Sequence, residues 1–154
     1  MSEDIKVIAR NKRASHDYHI EDSYESGLVL FGSEIKSIRM NRVNLGDGFV
    51  QEQRGELWLL NVHISTYDQA SYFGHADPMR PRKLLLHKRE IAHIIDWIRE
   101  QSHTAIPIKL YLLRGRAKIE IGLAKGKKLY DKRQDMAKRD SDRQVQRILK
   151  GQYE

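Results

Sequence analysis

Residues 108–123 read IKLYLLRGRAKIEIGL. Leu110 and Leu112 take the even positions, Arg114-Gly115 marks a turn, and Ala117, Ile119, Ile121 and Leu123 then alternate with Arg116, Lys118, Glu120 and Gly122. A period of two places one face of each strand in a core and the other in water. Tyr111 is expected to plug the edge of that core. Upstream, Pro107 announces the strand, and Ile91, Ile94, Ile95 and Ile98 recur at helical spacing, predicting a helix over about 83–101 with one apolar stripe for the sheet. Residues 65–82 hold Pro78 and Pro81 and little periodicity, which predicts a long surface loop. Further back, Gly46-Asp47-Gly48 and Arg54-Gly55 bracket a hairpin of 49–52 with 57–64. Ile35 and Ile38 predict a short helix from Ser33, capped by that serine and showing Lys36 and Arg39. A strand is expected over 24–31, a basic lead over 11–14, and fraying over 1–10. Five or six short strands with a helix inserted late predict a mainly β protein: a small closed barrel of the oligonucleotide-binding (OB) type with about three helices.

The 154 residues suit one domain, and 28 Lys plus Arg against 21 Asp plus Glu leave a net charge of +7. Polyanions are the natural partners of such a chain, with nucleic acid ahead of a membrane surface. No apolar run is long enough for a membrane span, and the absence of cysteine removes disulfides, thiolate metal sites and thiol nucleophiles. The character changes after Ala124: residues 125–154 hold ten cations against five carboxylates and few apolar groups. The expected organisation is a barrel domain over 1–124 and a basic tail over 125–154, disordered alone and helical on binding.

Catalytic patterns fail on spacing. Gly122 and Gly126 enclose three residues rather than four, and Lys128 stands where a phosphate loop needs Ser or Thr after its lysine. The seven histidines lack ligand spacing, no Gly-x-Ser-x-Gly elbow occurs, and Glu21-Asp22 reads as a solvated pair. No cofactor, metal or catalytic residue is expected. Aromatics among cations remain: Tyr18, Tyr24, Tyr67, Tyr72 and Tyr130 lie near basic residues, where exposed rings stack on unpaired bases while Lys and Arg hold phosphates; most of these tyrosines are expected to plug core edges instead, and Tyr130, outside any core, to stack.

Several stretches together resemble one family, the SmpB family of SsrA-binding proteins that partner transfer-messenger RNA (tmRNA). They include Asn11-Lys-Arg-Ala, His16-Asp-Tyr18, Tyr24-Glu25-x-Gly27, Gly32-Ser-Glu34-Ile-Lys36, Asn61-x-His63-Ile64, the run KLLLHKRE from Lys83, and AKGKKLYDKR from Ala124. The resemblance implies a non-enzymatic, cytoplasmic, monomeric RNA-binding protein without membrane contact. Its OB-like barrel would hold the tRNA-like domain of tmRNA while the tail enters the decoding region and vacant mRNA channel of a stalled small ribosomal subunit. It implies RNA contacts by Asn11, Arg13, His16, Glu25, Lys36, Leu85, His87 and Lys118. It assigns the tail's work to Gly126, Lys127, Lys128, Tyr130, Asp131, Lys132 and Arg133. Ser26 and His19 depart from the family's usual Ala and bulky apolar residue. A general tRNA- or rRNA-binding translation factor of the OB class is the alternative that composition leaves open.

Overall fold

The computed structural model describes residues 5–66 and 77–126. Along the chain run β1 (Ile5–Arg10), α1 (Ala14–Asp17), β2 (Tyr18–Leu28), α2 (Gly32–Arg39), β3 (Val43–Asn44), β4 (Phe49–Gln53), β5 (Glu56–Leu60), β6 (His63–Ile64), β7 (Arg82–Leu85), α3 (Lys88–Ile98), β8 (His103–Leu113) and β9 (Arg116–Gly126). Seven strands form one sheet in the order β1-β8-β9-β2-β7-β5-β4, and β3 pairs with β6 beside it. The architecture is OB-like and mainly β with three helices among the described residues, but β1 and β4 end the ladder without hydrogen-bonding to each other, so the sheet is curved and open rather than a closed barrel.

The alternation that predicted β8 and β9 is realised almost residue for residue. Leu110, Ile119 and Ile121 are fully buried, and the strands pair in register from Leu113↔Arg116 back to His103↔Lys125. Both are longer than expected. Pro107 sits inside β8, at the bulge between Pro107 and Lys109, where the irregular ladder does not need its missing N–H. Gly126 still pairs with Tyr18, so β9 runs past Ala124. The strand expected over 24–31 starts earlier, at Tyr18, and ends at Leu28. Residues Ile5–Arg10, expected to fray, form edge strand β1 on β8.

The largest correction concerns residues 83–87. Their leucines join the helix in a periodicity reading, yet Arg82–Leu85 is a strand between β2 and β5. Arg82 and Leu84 point inward while Leu85 is exposed, a period of two. The helix begins only at Lys88, where the Glu90 carboxylate accepts the His87 N–H at 3.1 Å and supplies a negative charge at the positive end of α3. Ile94 is then buried against the sheet, with Ile91, Ile95 and Ile98 half-buried around it. A similar exchange occurs at α2: Ser33 does not cap the helix but lies buried within it, and Glu34 accepts the Phe31 N–H at 2.8 Å.

Glu34 also anchors a buried ionic cluster. It is fully enclosed, as is Arg82. Its carboxylate takes Arg80 Nη2 at 2.7 Å and Arg82 Nε at 2.8 Å, while Arg82 donates to the carbonyls of Val62 at 2.6 Å and Pro78 at 3.1 Å. These bonds tie α2, the segment entering β7 and the chain before β6 to one another. Among the described residues no buried side-chain nitrogen or oxygen lacks a partner.

Candidate nucleic-acid interface

Strand β9 connects two clefts. At its beginning, Lys118 faces Tyr111 of β8 on one side and Gly27 of β2 on the other, and Gly27 in turn faces Leu85 of β7. This row crosses four neighbouring strands. The small Gly27 keeps it open, and a groove of about 530 Å³ forms there, lined by Glu25, Leu85, His87 and Lys118 among others. Four residues assigned by resemblance from three separate segments therefore meet on one surface. Leu85 is 51% exposed, an apolar side chain offered to solvent rather than to the core.

The groove is not a simple phosphate cradle. Lys83 lies 2.7 Å from Glu56, and Glu25 and Glu90 add further carboxylates. Acceptors balance the cations, so the chemistry favours N–H and hydroxyl donors of a ligand next to its phosphates. The Tyr111 hydroxyl donates to Glu25 Oε1. Burial first, and then that hydrogen bond, push the ionisation of Tyr111 above the usual phenol range. Tyr111 is 5% exposed, but it is covered on the outer face beside Lys109, Lys118 and Glu25 rather than at the core edge expected of it, because Leu110 and Leu112 take the inward positions of the alternating strand.

The second cleft, about 550 Å³, opens at the far end of β9, roughly 27 Å away at ~3.4 Å per residue; its lining includes Asn11, Arg13, Tyr18, Asp47, Gly48 and Gly126. A side chain on Gly48 would collide with Val62 at 2.6 Å and Pro107 at 2.8 Å, so close packing fixes glycine in this wall. Asn11 works within the fold: its Nδ2 donates to the Pro107 carbonyl at 3.0 Å and its Oδ1 accepts the Arg13 N–H at 3.1 Å. Arg13 itself reaches into solvent, 3.6 Å from the equally exposed Asp47.

The remaining assigned residues are dispersed. His16 projects from α1 with its side chain 86% exposed, 2.8 Å from Asp17. Lys36 is exposed on α2 and lines neither cleft. Gly126 closes β9, whereas Lys127, Lys128, Tyr130, Asp131, Lys132 and Arg133 lie outside the described residues, together with Tyr67 and Tyr72. Tyr24 packs edge-on against His93 of α3. His19 is exposed, and Ser26, buried in place of the expected alanine, donates to the carbonyls of Gly27 and Leu85. Sequence reasoning overlooked the Glu34–Arg80–Arg82 cluster and the Glu56–Lys83 pair, because a charged side chain at a helix start, in a loop or along a strand reads as solvated.

Among the described residues no group of His, Asp and Glu is placed to hold a metal ion, and no helix is long and apolar enough to cross a membrane. Fold and clefts together define an OB-like β-protein with two open, mixed-charge clefts at opposite ends of one strand. The model of the SmpB protein family matches residues 8–151, and the chain belongs to that family. An SsrA-binding protein of Carboxydothermus hydrogenoformans is 55% identical over 148 residues, 96% of this chain and 99% of its own length. One from Geobacillus kaustophilus is 55% identical over 145 residues, 94% of this chain and 93% of its own. A solved chain described as "tmRNA-SmpB: a journey to the center of the bacterial ribosome" superposes with a TM-score of 0.66 at 42% identity, covering 77% of this chain and 83% of that one.

Proposed function

We propose that this protein binds the tRNA-like domain of tmRNA and delivers it to stalled ribosomes in the cytoplasm, with the basic tail occupying the decoding centre and the vacant mRNA channel. The observation that carries this reading is the family match over residues 8–151, which takes in both the sheet domain and the tail. The clefts supply a physical basis. A folded RNA is recognised by shape, backbone and exposed edges, and two surfaces roughly 27 Å apart along β9, at ~3.4 Å per residue, suit a rigid ligand of that size rather than a small molecule.

In this reading Glu25 accepts donors of an exposed base or ribose, Lys118 and His87 meet phosphate, and Leu85 packs on a base or sugar. Arg13, held by Asn11, and His16 contact the RNA at the other end, with Lys36 adding charge on α2. The tail uses its cations to enter an RNA-walled channel, where Tyr130 stacks and Lys127, Lys128, Lys132 and Arg133 hold phosphates. Ordering there offsets part of the gain. The protein acts as a monomer and by binding rather than by catalysis.

Truncation after Gly126 tests the division between sheet and tail, because it leaves β9 whole. The shortened protein is expected to bind tmRNA within about threefold of the full chain, less than ~0.7 kcal/mol, and to lose tagging on stalled ribosomes. Equal loss of both activities contradicts the reading. Sequencing the RNA that copurifies with the full chain checks the partner: tmRNA is expected, and a broad tRNA or rRNA population overturns the assignment.

A further inference from the structure

Glu25 and Tyr111 stand on strands that are not neighbours, β2 and β8, with β9 between them. At ~4.8 Å per strand interval the bridge between them spans roughly 10 Å of sheet, so both side chains lie flat across β9 for the Tyr111 hydroxyl to reach Glu25 Oε1. One end of this bridge is fixed. Tyr111 is 5% exposed, with Lys109 Nζ 5.6 Å from its ring centroid, whereas Glu25 is exposed. A glutamate on an open sheet surface samples several rotamers, and a ligand that engages it must order it first.

Here the ordering is already done. Glu25 sits directly across from Glu120, a like charge that disfavours close approach. Glu120 turns to Lys109 at 3.9 Å, and Glu25 is held by the phenol instead. Among the described residues its second oxygen, Oε2, has no partner, and Glu25 lines the groove together with Leu85, His87 and Lys118. Lys118, lying between the two bridged residues, has no ion-pair partner among the described residues either, because the tyrosine rather than the lysine takes the carboxylate.

We propose that Tyr111 is a positioning residue for RNA binding: its hydroxyl fixes Glu25 so that the second carboxylate oxygen is presented to the groove as a ready acceptor, and leaves Lys118 available for phosphate. The inference rests on the reading that Glu25 contacts the tRNA-like domain. The raised ionisation of Tyr111 accords with it, since the group remains a donor across physiological pH.

The test uses the full chain and a transcript of the tRNA-like domain, with filter binding at fixed salt. Tyr111→Phe retains the ring and removes the donor; it is expected to weaken binding about fivefold, the worth of one hydrogen bond. Glu25→Ala should weaken binding at least as much, and the double variant no more than Glu25→Ala alone, because the phenol acts only through the carboxylate. Glu25→Asp keeps the charge but falls one methylene short of Tyr111, and should match Tyr111→Phe even if the latter folds poorly. Wild-type affinity for Tyr111→Phe or Glu25→Asp beside a weak Glu25→Ala overturns the positioning role, as do losses that multiply in the double variant. Wild-type affinity for Glu25→Ala removes Glu25 from the interface and Tyr111 with it, while copurification of tmRNA with the unaltered protein decides separately whether the proposed function stands.

Discussion

Glu34 shows how far one residue's chemistry is set by its surroundings. Burial by itself would raise its pKa, but hydrogen bonds from Arg80, the Phe31 N–H and Arg82 outweigh that and hold it below the ordinary carboxylate range. A folded-state pKa lower than the unfolded one means that the cluster's contribution is complete above about pH 4.3, the unfolded value, and disappears as pH falls through the lower folded value. The thermal midpoint of the wild type is therefore expected to drop in acid. Glu34→Gln should lower stability by ~3 kcal/mol near neutral pH, because it leaves the enclosed Arg82 without its counter-charge. The difference between the two proteins should narrow as the medium is acidified from about pH 4.3 down through the lower folded pKa. Thermal unfolding from pH 7 down to pH 3 measures both; a constant difference across that range contradicts the linkage. Nothing in the local sequence marks Glu34, since a glutamate beside a serine at a helix start is usually solvated.

At the scale of the element, β7 is the instructive case. The run Lys83-Leu84-Leu85-Leu86 ahead of a strong helical pattern reads as the helix's first turn, and local propensity offers no reason to stop it. What stops it is tertiary: Arg82 needs the enclosed Glu34, Leu84 fills the core between β2 and β5, and the α3 cap at Glu90 defines a later start. The strand reading predicts opposite consequences for adjacent leucines. Leu84→Ala, at a site 1% exposed, should cost about 3 kcal/mol of stability. Leu85→Ala should change stability by less than ~0.5 kcal/mol and weaken RNA binding instead. Denaturant unfolding and filter binding on both variants separate these outcomes; comparable stability losses would return residues 84 and 85 to a helix. By contrast the part of the β8–β9 hairpin over residues 108–123 was legible, although both strands run further than that. Its alternation is long, and its turn residues Arg114 and Gly115 both adopt positive φ as a two-residue hairpin turn demands.

For the whole molecule, the question is where the net charge acts. Both clefts mix cations with carboxylates, so the +7 of the chain is not concentrated in them. Residues 127–154 hold nine cations against five carboxylates. If the grooves hold RNA mainly through donors, acceptors and shape, affinity for the tRNA-like domain should fall only moderately with salt. Removing one cation that neutralises a phosphate should reduce the log–log slope by about 0.7 to 0.9, so Lys118→Ala should lower the slope by that amount and Leu85→Ala should leave it unchanged. Truncation after Gly126 should leave that slope intact while flattening the salt dependence of ribosome association. Titrations over a range of KCl concentrations read these slopes directly, and an equal change of slope in all three variants would refute this distribution of charge.

The chain's linear order determined the alternating strands, the apolar stripe of α3, the basic character of the last thirty residues and, through its motifs, the family resemblance. These are short-range properties: periodicity, turn chemistry and charge density are all contained within a few consecutive residues. Only the tertiary structure decided that the sheet stays open, that Leu84 and Leu85 belong to a strand, that Glu34 and Arg82 are enclosed together, and that Glu25, Leu85, His87 and Lys118 share one groove. Each of those depends on pairing between segments distant along the chain, where strand order and register, not composition, fix which side chains meet.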